Sequence, residues 1–297
     1  MTTVAVVGTG RMGTAMARSL SRGNLDLVLY NRTPSRCAAL ADQLGARVVD
    51  TPAAAAAASD IAITMLADGP ACEEVWTGRD GLLEGASAGK VLVDMSTVPP
   101  AVIRSFESAA RERGAGILDA PVSGSVPLAE TGKLTIMVGG SAEDLERARP
   151  AFEQLATRVA HIGPLGSGAS LKLAVNVLIF GLNQALAEAL VLAERAGIDR
   201  ATAYDFFVTS AAGAPYVGYK RDAFVEPDNT PVGFTLGLTQ KDLRLILGLA
   251  DAVRAPMPQT RGNLDLVEDA ITALGPDRDA STIAERLRAL AGEGVAS

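Results

Sequence analysis

The chain has 297 residues, 48% of them hydrophobic and 21% charged, with a formal net charge of −7. That length is more than one small core needs and suits two domains, and the composition is that of an ordinary globular protein without disordered or low-complexity bias. The negative balance, with no Lys/Arg cluster, argues against nucleic acid as a partner; a single histidine, His161, and two unclustered cysteines, Cys37 and Cys72, supply no metal-ligand set of the usual spacing.

The N-terminus enters a strand at once, with no basic n-region, apolar h-region or cleavage site, so a cytoplasmic protein with reduced cysteines is expected. That strand, residues 4–7, feeds into Gly8-Thr9-Gly10-Arg11-Met12-Gly13 and then a helix-favouring run. A strand, a glycine-rich turn and a helix form the fingerprint of a dinucleotide site. Gly8 permits the tight turn, Gly10 lets the backbone approach a pyrophosphate, and Gly13 lets helix and strand pack closely. The helix N-terminus turns free N–H groups and a partial positive charge toward the phosphates.

The next strand, 27–30, ends in Asn31-Arg32-Thr33. NAD-specific sites place an acidic residue there to hold the ribose 2′-hydroxyl. Here Asn31 repels no phosphate, Arg32 offers a planar fork of donors and Thr33 a hydroxyl, which points to NADP(H). The alternative is that Arg32 is a solvated surface charge.

Further strands are expected at 47–49, 61–66, 90–94, 116–119, 135–138 and 159–162, with helices at 35–44, 53–58 and 101–113 between the earlier ones. Alternating strands and helices predict a parallel, doubly wound sheet, a Rossmann-like α/β domain over residues 1–163. His161 falls in an apolar run and is assigned a structural role. The glycine-rich stretch 163–168 breaks the pattern. Helices follow at 169–196, 200–210, 234–253, 260–274 and 281–290, so residues 164–297 are expected to form an all-helical domain, with the active site at its junction with the first. The apolar stretch 171–192 contains Lys172, Asn176, Asn183, Gln184 and Glu188, a polar density that favours a core helix over a membrane span.

Lys172 and Asn176 are four residues apart and share one helix face. A lysine on an apolar helix is costly to bury without a task, and burial lowers the pKa of an ammonium toward the range of reversible acid–base work. The competing reading is a lysine that snorkels to water at the start of its helix. Tyr216 and Tyr219 lie in a Gly/Pro-containing segment and either line a pocket or stabilise the loop. Trp76, Phe106, Phe152 and Phe180 are assigned to cores, and Arg286 and Arg288 to the solvated face.

Four motifs taken together resemble the β-hydroxyacid dehydrogenase family, the 3-hydroxyisobutyrate dehydrogenases, tartronate semialdehyde reductases and glyoxylate/succinic semialdehyde reductases. They are Gly8 to Gly13, Asp119-Ala120-Pro121-Val122-Ser123-Gly124, Gly166-Ser167-Gly168 leading to Lys172 and Asn176, and Lys241-Asp242-Leu243. The resemblance implies that Lys172 is the catalytic acid/base, with Asn176 and Ser123 beside it on the substrate and Gly124 gripping its carboxylate. It also implies that Met65, Leu66 and Thr97 line the dinucleotide site, that Phe234 lies near the nicotinamide, that Lys241 closes over the cofactor, and that Asp242 supports the site. Tyr219 is added as a substrate contact. Two positions depart from the common pattern: Ser125 replaces a frequent glycine, and Val175 a frequent asparagine. The expected activity is NADPH-dependent interconversion of a small aldehyde or keto acid and its hydroxy acid, by a homo-oligomer, dimer or tetramer, that binds no metal and no membrane. An imine reductase or a silent NADP-binding scaffold of the same architecture are the alternatives, and Lys172 counts against both.

Overall fold

Apolar runs bounded by glycine and proline become the strands of the first half of the chain. The order is β1 (Thr2–Val7), α1 (Arg11–Leu20), β2 (Leu25–Tyr30), α2 (Pro34–Leu44), β3 (Arg47–Val48), α3 (Pro52–Ala57), β4 (Ile61–Thr64), α4 (Gly69–Thr77) and β5 (Val91–Asp94). Then come α5 (Pro100–Ser105), α6 (Glu107–Glu112), β6 (Gly116–Asp119), β7 (Val122–Ser123), α7 (Val126–Glu130), β8 (Leu134–Gly140), α8 (Ala142–Leu155) and β9 (Ala156–Gly163). The computed structural model describes residues 1–293 and divides into two compact units, Met1–Lys172 and the residues from Leu173 onward. The first unit thus retains the opening residues of the long helix, beyond the boundary expected at residue 163.

Nine strands form one sheet in the order β3-β2-β1-β4-β5-β6-β8-β7, with β9 on β8. It is parallel from β3 through β6, as the alternation of strands and helices predicts. Beyond β6 that expectation fails: β8 runs antiparallel to both β6 and β7. The cause is the connection, because a parallel return needs a crossover helix, and the segment after β6 carries only the five-residue α7. β1 is buried along most of its length and alternates sides, with Val4 and Val6 in one core and Ala5 and Val7 in the other. Met16, Leu20 and Phe152 fill the first core, and Trp76 stacks on Phe106 in the second at 4.9 Å between ring centres.

Local chemistry explains where sequence periodicity misplaced an element. The helix expected over 101–113 breaks at Phe106, whose N–H bonds to Ile103 O at 3.2 Å in a tightened turn. The strand expected over 61–66 stops at Thr64, since the Leu66 N–H turns aside to the Ser96 hydroxyl at 2.8 Å. α8 has a Ser141 cap bonded to the Asp144 N–H at 3.1 Å, but the internal Pro150 conceals it in the sequence.

The second unit is helical: the rest of α9 (Ser167–Arg195), then α10 (Arg200–Thr209), α11 (Pro215–Tyr219), α12 (Arg221–Val225), α13 (Leu236–Val253), α14 (Pro258–Leu274) and α15 (Ile283–Glu293). Phe180, Leu190, Tyr204, Phe224 and Leu243 lie in its core. α9 is long and apolar enough to cross a membrane by length and composition, yet its Asn183 is buried and donates to Ala280 O at 3.0 Å within this unit. Two expectations need correction. Tyr216 lies in helix α11 and not in a loop, buried with its hydroxyl donating to Asn183 Oδ1 at 2.7 Å, a bond that ties the segment to α9. Arg286 and Arg288 do not simply face water, because they pair with Asp269 at 2.7 Å and with Glu194 at 2.5 Å and are largely covered.

Candidate active site

At the C-terminal end of β1 the chain turns through Gly8, whose φ of +101° suits only glycine and whose N–H donates to Tyr30 O at 2.8 Å. A Cβ there would stand 2.5 Å from Met65 O. At Gly13 it would overlap the Gly8 carbonyl oxygen. Gly10 differs, since a Cβ there would meet nothing within 4 Å. The fold therefore demands two of the motif glycines and leaves the third as open backbone at the N-terminus of α1, where Gly10 caps without a side-chain bond. That cradle, with Arg11 exposed and Met12 half-buried beside it, fits the diphosphate of a dinucleotide.

Asn31 has a structural task that the sequence did not reveal. Its Oδ1 accepts the Thr9 N–H at 3.1 Å and its Nδ2 donates to Thr33 O at 3.1 Å, tying the glycine loop to the end of β2. Thr9 is buried against Cys37, with Oγ1 and Sγ 3.6 Å apart. Arg32 points outward, 82% exposed, with a loose 3.8 Å pairing to Glu74.

Met65, Leu66 and Thr97 follow the ends of β4 and β5 and are half-buried. Beneath them lies a polar network absent from the sequence reading. The Asp94 carboxylate accepts from the Thr64 hydroxyl at 2.7 Å and the Ser96 hydroxyl at 2.8 Å, and Trp76 Nε1 donates to Thr64 Oγ1 at 3.2 Å. Burial pushes the Asp94 carboxyl up to about 6, against the pull of those hydroxyls. Ser96 in turn holds the Leu66 N–H, so the network fixes the loops above it. The available signal was a carboxylate closing an otherwise apolar strand, Val91-Leu92-Val93-Asp94.

Ser123 ends β7, and Gly124 follows at φ +141°, where a side chain would press within 2.8 Å of Leu134 Cδ2. Ser125 sits at φ −88° and ψ 170°, ordinary extended backbone that a side chain adopts freely, so the departure from glycine does not strain the chain. Lys172 is half-buried in the second turn of α9.

In the second unit the structure brings together Asn176, Lys241 and Asp242. Buried Asn176 on α9 donates through Nδ2 to Asp242 Oδ2 on α13 at 2.9 Å, and Lys241 Nζ lies 2.9 Å from Asp242 Oδ1. Phe234 precedes the Thr235 cap of α13 and stacks on Phe180 at 6.1 Å. Its loop is held by Asp279, whose Oδ2 accepts the Gly233 N–H at 2.8 Å and the Phe234 N–H at 3.2 Å, while Oδ1 takes Lys220 Nζ at 2.6 Å. Sequence reasoning missed this buried ion pair, whose members lie 59 residues apart. Tyr219 is 61% exposed and meets Tyr216 edge-on at 5.3 Å.

Comparison with known proteins agrees with this architecture. Residues 3–163 match the NAD binding domain of 6-phosphogluconate dehydrogenase, and residues 166–287 match the NAD-binding region of NADP-dependent 3-hydroxyisobutyrate dehydrogenase. The chain is 34% identical to 2-hydroxy-3-oxopropionate reductase of Escherichia coli, covering 98% of both chains. It is 32% identical to glyoxylate/succinic semialdehyde reductase 1 of Arabidopsis thaliana, over 96% of this chain and 98% of that one. A solved 3-hydroxyisobutyrate dehydrogenase of Mycobacterium tuberculosis, with L-serine, superposes with a TM-score of 0.86 at 30% identity, over 97% of this chain and 99% of that one. With its glycine loop, helical second unit and full-length likeness to these enzymes, the chain belongs to the β-hydroxyacid dehydrogenase family of NAD(P)-dependent oxidoreductases.

Proposed function

We propose that this member is an NADPH-dependent reductase that converts a small aldehyde or keto acid to its hydroxy acid, with Lys172 as the proton donor. The observation that carries the cofactor preference is the end of β2. Residues 31–33 supply no carboxylate, Asn31 is engaged with Thr9 and Thr33, and Arg32, exposed and held only by a loose 3.8 Å pairing to Glu74, can turn to a 2′-phosphate.

A bound dihydronicotinamide supplies the hydride to the carbonyl carbon. The chain's own work is to hold the substrate and manage a proton. Ser123 and the backbone at Gly124 receive the substrate carboxylate; within the second unit, Asp242 fixes the Asn176 amide for its part in substrate binding. The Lys172 ammonium neutralises the charge that develops on the oxygen and gives it a proton, taking one back in the oxidative direction. The names of the relatives favour a short acid bearing a terminal aldehyde or alcohol. Rates with glyoxylate, succinic semialdehyde, tartronate semialdehyde and methylmalonate semialdehyde, with NADPH and NADH side by side, test the proposal. Turnover of none of them, or equal efficiency with NADH, would overturn it.

We also infer a homo-oligomer. Leu178 and Leu192 on α9 are 67% and 72% exposed, and a spacing of two heptads puts them on one apolar stripe. Light scattering on the purified protein checks this, and a monomer mass sinks it.

A further inference from the structure

One buried carboxylate in the first unit has no role in the assignments above. Asp119 ends β6 and is 1% exposed. Its Oδ1 accepts the Gly166 N–H and its Oδ2 the Ala169 N–H, both at 2.6 Å. Gly166 immediately precedes α9 and Ala169 is its third residue, so these are the N-cap and N3 donors of that helix. A capping box satisfies the same two donors with two side chains of the helix itself. Here a single carboxylate from a strand satisfies both.

The surrounding glycines make room for this arrangement. A side chain at Gly139 would overlap Asp119 Oδ1, and one at Gly168 would overlap the Met137 carbonyl oxygen and come within 3.0 Å of Asp119 Oδ2. Gly166 takes φ +89°, and Arg104 Nε donates to Leu165 O at 3.0 Å just before it. Gly166-Ser167-Gly168 therefore marks where the backbone must come close to the ends of β6 and β8. Burial raises the Asp119 pKa, while the two N–H bonds and the Arg104 guanidinium oppose that rise. The carboxylate also faces the positive end of the helix dipole.

We propose that Asp119 is the positioning residue for Lys172, fixing the first turn of α9 to the end of β6 and so setting the lysine in register with Ser123 and Gly124. Lys172 lies three residues beyond Ala169, less than one helical turn from the clamp. Ser123 lies four residues beyond Asp119, in the same register along β8, where Asp119 faces Gly139 and Ser123 faces Thr135. The same side chain thus anchors the segments that carry the proton donor and the carboxylate grip. This inference rests on the reading of Lys172 as proton donor.

Asp119→Asn keeps the shape, removes the charge and turns an amide nitrogen toward one of the two N–H groups. The expected result is a fall in kcat on the order of a hundredfold, the scale of a displaced catalytic group, with KM for NADPH unchanged. Amide exchange should quicken over residues 166–175 and stay at wild-type rates in β1 and α1. Gly139→Ala, which keeps the carboxylate but crowds Oδ1, should give the same pattern in milder form, and carries the test if Asp119→Asn does not fold. Wild-type kcat and exchange in these variants overturn the proposal. So does exchange that quickens across the whole first unit with a parallel loss of NADPH affinity, because Asp119 would then be a general fold residue. If Lys172→Ala is inactive and Asp119→Asn is not, only the Asp119 inference fails; if Lys172→Ala keeps full turnover, the reading of the reaction fails and the positioning role with it.

Discussion

Gly13 packs so closely on Gly8 that a side chain at 13 would overlap the Gly8 carbonyl oxygen, whereas Gly10, between them in sequence, has nothing within 4 Å of where a Cβ would stand. The motif glycines therefore separate into fold and ligand roles. Gly13→Ala should destabilise the protein by about 1–3 kcal/mol, the usual cost of overpacking. Gly10→Ala should leave the melting temperature unchanged and weaken cofactor binding. Thermal unfolding and fluorescence titration with NADPH check both, and equal thermal losses would refute the separation.

Lys172→Ala should lower kcat by about 10²–10⁴-fold, the contribution of a positioned proton donor, while the dissociation constant for NADPH stays at the wild-type value. The proposed role gives Lys172, on α9, a contact with the substrate oxygen and none with the dinucleotide phosphates. Single-turnover rates and an equilibrium titration separate the two effects.

Arg32→Ala should raise KM for NADPH and leave that for NADH nearly untouched. Loss of a charge-assisted contact is worth about 1.5–3 kcal/mol, roughly ten- to a hundredfold. With its guanidinium 82% exposed, Arg32 should give up this contact without any change in melting temperature. Comparable losses with both cofactors would assign Arg32 to the solvated surface instead.

Asp94 sets a signature in the pH dependence of stability. Burial raises its folded pKa from 3.8 to about 6, so the folded state holds the proton more tightly than the unfolded chain does. Stability from this group is full below about pH 4 and is lost as pH rises toward 6. Asp94→Asn, which cannot ionise, should therefore gain on the wild type by up to about 3 kcal/mol between pH 4 and 7. Urea midpoints across that range measure the difference, and parallel curves would contradict the assignment.

Breaking the buried Lys220–Asp279 pair should cost far more than breaking a surface pair. Lys220→Met leaves the Asp279 carboxylate buried without its cation, a loss of about 3–5 kcal/mol. Lys220→Met combined with Asp279→Asn should lose less than the two single changes added together. Denaturant unfolding of the three variants gives the coupling directly.

The architecture was legible because its signals are local. A strand, a turn and a helix around Gly8, Gly10 and Gly13 announce a dinucleotide loop from consecutive residues, and the 29-residue α9 declares itself by a long apolar run that follows a glycine-rich break. What escaped depends on partners distant in the chain. Asp119 bonds to Gly166 and Ala169 across 47 and 50 residues, and Lys220 reaches Asp279 across 59. Asn31 was read for what it does not repel, when its amide fastens Thr9 to Thr33. The antiparallel turn of the sheet after β6 was missed for a related reason, since strand direction follows from the brevity of α7 and not from the strands themselves.

Position 32 stands apart from its neighbour in a way that bears on how such proteins diverge. Asn31 is bound into the fold, whereas Arg32 contributes only a 3.8 Å surface pairing to it. Mutations at 32 are thus almost invisible to folding, while those at 31 are filtered by it. Under the role proposed for Arg32, a lineage could change its nicotinamide cofactor through a single codon without first acquiring a compensating stabiliser.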